Sequence, residues 1–185
     1  NGSTFNGAFV NPPSSSAGSV LMMVVNGSTV ANQRIWYQTV AVTPGVTYQL
    51  SLRGCTAVAG GPAILQWQVD GALIGSSVTL PAVTRQWVDV GAEWTAPPGT
   101  TTIQLAVRNL NTATFPNDFY LDDLSMASVC FADFNGDGGI DGADVEAFFA
   151  AWEAGDERAD VNRDGGIDGA DVETFFAAWE AGTCG

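Results

Sequence analysis

Between residues 19 and 126 apolar and polar side chains alternate in short runs, and turn residues break the runs apart. Tyr48, Leu50 and Leu52 oppose Gln49, Ser51 and Arg53, while Leu65, Trp67 and Val69 oppose Gln66, Gln68 and Asp70. Ile103, Leu105 and Val107 oppose Gln104 and Arg108 in the same way. A period of two belongs to a strand with one face on a core and one face in water. It predicts strands near 19–26, 35–42, 46–53, 63–70, 72–80, 86–94, 101–109 and 118–126. The Asp-Gly pair within Val69–Ala72 is a hairpin signal, and Thr43–Gly45 and Ala96–Gly99 read as turns. Eight strands at this spacing predict a jelly-roll β-sandwich with Trp67 in its core.

After residue 129 the period changes. Val145, Phe148, Phe149 and Trp152 fall at i, i+3, i+4 and i+7, the stripe of an amphipathic helix, and Val172, Phe175, Phe176 and Trp179 repeat it. The helices belong to a duplication. "ADFNGDGGIDGADVEAFFAAWEAG" from Ala132 returns as "ADVNRDGGIDGADVETFFAAWEAG" from Ala159, with three differences: Phe134/Val161, Gly136/Arg163 and Ala147/Thr174. The two apolar stripes predict a shared core between antiparallel helices. The opposite faces carry Ala143, Ala147, Ala150 and Ala154, then Ala170, Thr174, Ala177 and Ala181, where a solvated helix would carry charge. The expected division is a β-sandwich over 1–128 and a small all-α module over 129–185, packed rigidly together.

Each helix is preceded by an acidic loop. Asp133, Asn135, Asp137, Asp141 and Asp144 stand at loop positions 1, 3, 5, 9 and 12, and Gly139 at position 7 would offer its carbonyl. The second loop repeats this with Asp160, Asn162, Asp164, Gly166, Asp168 and Asp171. Gly138 and Gly165 sit where a sharp turn needs unusual dihedrals. Hard oxygen donors at this spacing suit Ca²⁺, one ion per loop, whereas softer metals would want His or Cys.

Residues 130–184 resemble a dockerin, the duplicated calcium-binding module of bacterial extracellular proteins. They share its loop–helix unit without an entering helix, and Asp in place of Glu at the twelfth loop position, here Asp144 and Asp171. The resemblance implies a docking module whose partner, a cohesin, is itself a β-sandwich. The family's contact positions fall on Gly142, Ala143, Ala150 and Ala154, and on Gly169, Ala170, Ala177 and Ala181. The front of the chain, through "WYQTVAVTPGVTYQLSL" and "FYLDDLSM", resembles carbohydrate-binding modules of the family 4/9 group and related galactose-binding-like domains. That resemblance implies a polysaccharide ligand and a further structural calcium at an acid of the last strand, Asp122. Trp36, Trp87 and Trp94 are candidate rings for a sugar's apolar face, beside the outward Gln and Arg side chains.

Charge sharpens the division. Residues 1–129 carry six acids against four arginines, a net of −2, and residues 130–185 carry fourteen against two, a net of −12. So acidic a segment makes nucleic acid an improbable partner and needs cations to fold compactly. The chain has no His and no Lys, which removes the usual general base, Schiff-base chemistry and the Walker lysine. No apolar run approaches the roughly 18 residues of a membrane span. Cys130 precedes the first repeat and Cys184 follows the second, so a twofold arrangement would bring them together as a disulfide, with Cys55 a buried free thiol. The rival pairing is Cys55 with Cys130. A disulfide implies an oxidising setting. Opening on Asn1 fits a removed leader or an excised fragment, and Asn1–Ser3 and Asn26–Ser28 fit glycosylation sequons.

The expectation is a non-catalytic, secreted bacterial protein of the extracellular space or cell surface, mediating calcium-dependent protein–protein assembly. Its partner would be a cohesin-like sandwich or a second copy of the chain, and its sharpest form is head-to-tail self-polymerisation into a filament. The alternative is a glycan-binding module tethered to a scaffold.

Overall fold

The structure is a computed structural model that describes residues 7–15, 21–30, 32–111, 117–162 and 164–182. It divides into two units, Asn1–Ala127 and Ser128–Gly185. The first contains β1 (Met23–Val25), β2 (Gln33–Ala41), β3 (Thr47–Thr56), β4 (Ile64–Val69), β5 (Ala72–Thr79), β6 (Trp87–Thr95) and β7 (Thr102–Asn109). Strand β8 (Phe119–Ser128) closes it. They form two four-stranded sheets, β1-β8-β3-β6 and β2-β7-β4-β5, with β1–β8, β3–β6, β2–β7, β4–β7 and β4–β5 paired antiparallel. The β4–β5 hairpin turns on Asp70 and Gly71, both in the left-handed region at φ 46° and 90°, as a tight Asp-Gly turn requires. Of the expected strand over 19–26, Met23–Val25 pairs in the sheet, and part of the remainder lies outside the described residues.

The inward side chains of the two sheets make the main core. Leu50, Leu52, Leu65, Val90, Val107, Phe119 and Leu121 are fully buried there with Trp67. Trp67 sends its indole N–H across the gap to the carbonyl of Val90, 2.9 Å away, so a β4 side chain is tied to β6 of the other sheet. A buried indole N–H without such a partner would cost about 1–3 kcal/mol.

A second, smaller core closes the outer face of the β1-β8-β3-β6 sheet. Phe9, Cys55, Ala57 and Tyr120 are buried together, with Val24 and Trp87 packed against them. Phe9 meets Tyr120 edge-on at 6.0 Å. The segment carrying Phe9 is held by Val10 N–H to the Ala57 carbonyl at 2.9 Å and by Trp87 Nε1 to the Pro13 carbonyl at 2.9 Å. It is held also by Arg53, which donates to the Ser15 carbonyl and pairs with Asp89 at 3.1 Å. Cys55 is a free thiol. Burial pushes its pKa up, against the backbone N–H groups of Arg85 and Gln86, which lower it. The Cys55–Cys130 pairing is therefore not formed, and the Cys184 end of the other pairing lies outside the described residues.

The second unit has two 13-residue helices, α1 (Gly142–Ala154) and α2 (Gly169–Ala181), with a 3₁₀ turn at Glu157–Ala159 between them. Their apolar stripes meet as the pattern requires. Phe148 and Phe175 stack parallel with ring centroids 4.3 Å apart, and Phe134 stands edge-on to both, at 5.5 Å and 6.2 Å. Trp152 donates to the Asp168 carbonyl at 3.2 Å and Trp179 to the Asp141 carbonyl at 3.0 Å, so each helix ties to the start of the other.

This corrects the expected dockerin-like all-α module with two calcium loop–helix repeats. The chain is mostly β-sandwich with two C-terminal helices. The first acidic loop follows strand β8 and the second lies between the 3₁₀ turn after α1 and the start of α2, and nothing among the described residues marks the two helices as an EF-hand pair. Asp144 and Asp171, expected as the last ligands of the loops, are fully buried at the third helical position, where they complete capping boxes with Asp141 and Asp168. Desolvation raises the Asp144 pKa, but N–H groups from Asp141, Asn135 and Phe134 and its own N–H outweigh it, and the carboxyl is held below its ordinary range. Among the described residues no group of three acidic or thiol side chains converges to hold a metal ion.

Because Phe148 is fully buried in the ring stack, Phe148→Ala is expected to destabilise the second unit by about 3–5 kcal/mol. Urea unfolding followed by the helical circular dichroism signal measures it.

Candidate functional site

With the other sheet's outer face closed by the N-terminal segment, the outer face of the β2-β7-β4-β5 sheet is the sandwich face that presents an exposed aromatic and free polar side chains. Its composition is decided by one irregularity. The β2–β7 register shifts between Arg34 and Trp36: Arg34 pairs with Arg108, but Trp36 already pairs with Val107 and Tyr37 with Ala106. A bulge inserts one residue and reverses the facing of everything beyond it. Ile35 and Trp36 therefore both pack toward the main core, and Arg34 and Tyr37 share the outer face.

The result is an aromatic–guanidinium pair. Tyr37 is 58% exposed, and the Arg34 guanidinium carbon lies 4.2 Å from its ring centroid. Arg34 Nη1 donates to Gln104 Oε1 at 2.5 Å, and the Gln104 N–H donates to Asp70 Oδ1 at 2.7 Å. Next to them Arg108 Nε donates to Gln68 Oε1 at 2.9 Å and its Nη1 to the Asn32 carbonyl at 2.6 Å. Gln68 Nε2 is itself fixed on the Gly71 carbonyl at 2.8 Å, and Gln66 Nε2 on the Gly75 carbonyl at 2.6 Å. Val30, Asn32, Gln33, Arg34, Tyr37 and Arg108 line an open groove of about 630 Å³. The arrangement offers one ring face edged by immobilised donors, and a guanidinium has more N–H groups than these bonds consume.

The three expected tryptophans are elsewhere. Trp36 lines a smaller cavity of about 120 Å³ between the sheets, with Gln38, Trp67, Leu105 and Met126. Trp94 packs on the main core beside Tyr48, at 6.3 Å, and Trp87 on the small core. Of the expected polar set, Gln66, Gln68, Gln104 and Arg108 do meet on one face. Gln49, Ser51 and Arg53 belong to β3 in the other sheet. Tyr37 was missed because a bulge needs its partner strand to be seen.

The expected calcium ligands form two loops of similar geometry. Asp133 accepts from Asp137 N–H and Gly138 N–H at 3.0 Å each, Asn135 Oδ1 accepts from Asp137 N–H at 2.8 Å, and Asp137 Oδ1 from Gly139 N–H at 2.8 Å. Asp144 spans the loop, accepting from Asn135 at 3.1 Å and Asp141 at 2.8 Å. In the second loop Asp160 Oδ2 accepts from Gly165 N–H at 3.0 Å, Asn162 Oδ1 from Asp164 N–H at 2.8 Å, and Asp171 from Asn162 at 3.2 Å and Asp168 at 2.9 Å. Gly138 and Gly165 both adopt φ 89°, as the sharp turn demands. Among the described residues of the second loop, Asp160 Oδ1 is buried with no hydrogen-bond partner. At the last strand, Asp122 and Asp123 each accept from Ser15 Oγ, at 2.6 Å and 2.8 Å. No described helix is long and apolar enough to cross a membrane.

No protein-family model matches the chain. No curated protein matches it either. Solved structures do resemble it. One is the EclA C-terminal domain, described as a sugar-binding protein, at TM-score 0.50 and 19% identity over 60% of this chain and 82% of that one. Another is the CBM22-1 xylan-binding domain from Paenibacillus barcinonensis Xyn10C, at TM-score 0.42 and 12% identity over 60% and 83%. A third is a CBM4 structure, at TM-score 0.40 and 18% identity over 50% and 59%. At this identity the likeness is one of fold alone: the chain shares a β-sandwich with the EclA domain.

Trp36→Ala is expected to destabilise the sandwich by about 3 kcal/mol, whereas Tyr37→Ala should shift it by no more than about 1 kcal/mol, since only a surface cation–π contact is lost. Paired denaturant melts of the two variants check the assignment of core ring and surface ring.

Proposed function

We propose that the chain is a non-catalytic glycan-binding protein whose β2-β7-β4-β5 outer face holds the sugar. The observation that carries this reading is the Tyr37 ring, exposed on a sheet whose neighbouring Arg and Gln side chains are already hydrogen-bonded in place. A sugar ring has an apolar face and a rim of hydroxyls. It needs a flat aromatic surface with donors and acceptors beside it, and groups fixed beforehand lose little conformational entropy on binding. The sugar-binding description of the EclA domain, which shares the sandwich, supports the same reading. Head-to-tail self-assembly has no observation among the described residues to support it.

A hard cation at the two acidic loops is a second, separate reading, and one atom favours it. Asp160 Oδ1 is a buried carboxylate oxygen left without a donor, a costly arrangement that a cation would relieve. Calcium also accepts amide and carbonyl oxygens, so its donor set is wider than a cluster of carboxylates. In the second loop Asp160, Asn162, Asp164, the Gly166 carbonyl, Asp168 and Asp171 would hold it, and in the first Asp133, Asn135, Asp137, the Gly139 carbonyl, Asp141 and Asp144. The ion would neutralise part of the acidic segment and brace the helices, with no chemical step assigned to it. A Cys130–Cys184 disulfide around this unit and a secreted location belong to the same proposal, as does a structural ion at Asp122.

Two measurements test these readings. Tyr37→Ala should weaken polysaccharide binding about tenfold or more while the melting temperature moves by no more than about a few degrees. Affinity electrophoresis against a panel of soluble glycans reads it, and full retention by the variant would refute the site. Calcium titrated into chelator-treated protein should release or absorb heat and raise the melting temperature of the helical signal, and Asp160→Asn should reduce both. Silence in both readouts would refute the cation.

A further inference from the structure

Arg34 and Arg108 stand directly opposite one another, as register partners on neighbouring strands of the same face. Like charges placed opposite across a ladder repel and destabilise the pair. The chain has 20 acids and six basic residues, so a neutralising carboxylate is the commonest thing it could supply here. None is supplied. Among the described residues the ion pairs are Arg53–Asp89 and Arg158–Asp156, and neither includes the two arginines of this face. Their hydrogen-bond partners are all uncharged: Gln104 Oε1, Gln68 Oε1 and the Asn32 carbonyl. Asp70, at the edge of the face, is committed to the N–H of Gln104.

The cation–π contact with Tyr37 gives the Arg34 charge one partner, but no structural role accounts for a second charge opposite it at Arg108. Holding Gln68 and the Asn32 carbonyl needs donors, which a neutral amide provides without repulsion. Two guanidiniums oriented by neutral acceptors, beside an exposed ring and open to a groove of about 630 Å³, are a receptor for an anion. We propose that the glycan taken by this face is acidic, a polymer of uronic acid residues, with a sugar carboxylate seated between Arg34 and Arg108 and its ring against Tyr37. The inference rests on the glycan reading and narrows it to a substrate class. At a net charge of −14 the chain as a whole repels a polyanion, so recognition comes from contact at this patch and not from long-range attraction.

The test is affinity electrophoresis of the full chain through gels holding polygalacturonate or alginate, and through gels holding the same polymers with their carboxyls methyl-esterified. Neutral xylan and mixed-linkage β-glucan are run alongside. An acid polymer should bind at least about tenfold more tightly than its ester. Arg34→Gln and Arg108→Gln should each lose about tenfold, while Arg85→Gln, an exposed arginine outside the groove, should change nothing, with thermal melts confirming that every variant is folded. Equal binding of acid and ester, binding confined to the neutral polymers, or an equal loss in Arg85→Gln overturns the acidic-sugar inference and leaves the glycan reading standing. Retardation by no polymer of the set fails the glycan reading itself.

Discussion

When two sheets pack face to face, each strand gives alternate side chains to the core, and whatever else the protein does must use the ones left over. In this sandwich the inner faces are filled by Leu50, Leu52, Leu65, Trp67, Val107 and Phe119, and the indole of Trp67 binds one sheet to the backbone of the other. The outer face of the β1-β8-β3-β6 sheet is then closed by Phe9 packing on Tyr120 and Cys55. What remains is the other outer face, and the bulge after Arg34 decides what it displays. With regular alternation, Trp36 would face outward and Tyr37 would be buried. One extra residue exchanges them, bringing a guanidinium and a phenol ring into stacking contact.

The parts of this arrangement that were legible in the sequence are those with local causes. Strand positions follow from a period of two and from turn chemistry such as Asp70-Gly71, which is why β2 to β8 fall within a few residues of where the pattern puts them. The helical stripes and their ring contacts follow from a period of 3.6, and Phe148 meets Phe175 because duplication gave both helices the same stripe. Gln66, Gln68, Gln104 and Arg108 were legible as one outward set because β4 and β7 run without a shift against each other. Features that depend on a second strand or a distant segment were not. The bulge exists only in the pairing of β2 with β7, and Phe9 becomes a core residue only once residues far along the chain have formed a sheet beneath it.

The acidic segment shows a different limit. The positions of its loop carboxylates could be read, but not how the fold uses them. Asp144 and Asp171 satisfy helix-start and loop N–H groups from fully buried positions, so the spacing that reads as a ligand set is also a capping scheme. The same residue types serve both ends because a carboxylate oxygen accepts an N–H or meets a cation with the same lone pairs. Asp160, with one oxygen satisfied and one stranded, marks where the two uses part company.

The crossed indole bonds of the second unit bear on how it can come apart. Trp152 lies on the first helix but ends on the backbone that opens the second, and Trp179 does the reverse. A repeat that frays loses its own loop geometry and withdraws an anchor from its twin at the same moment. Duplicated modules are often treated as two copies that fold independently. Here the exchange of anchors couples them, so that loosening either repeat weakens a contact the other depends on.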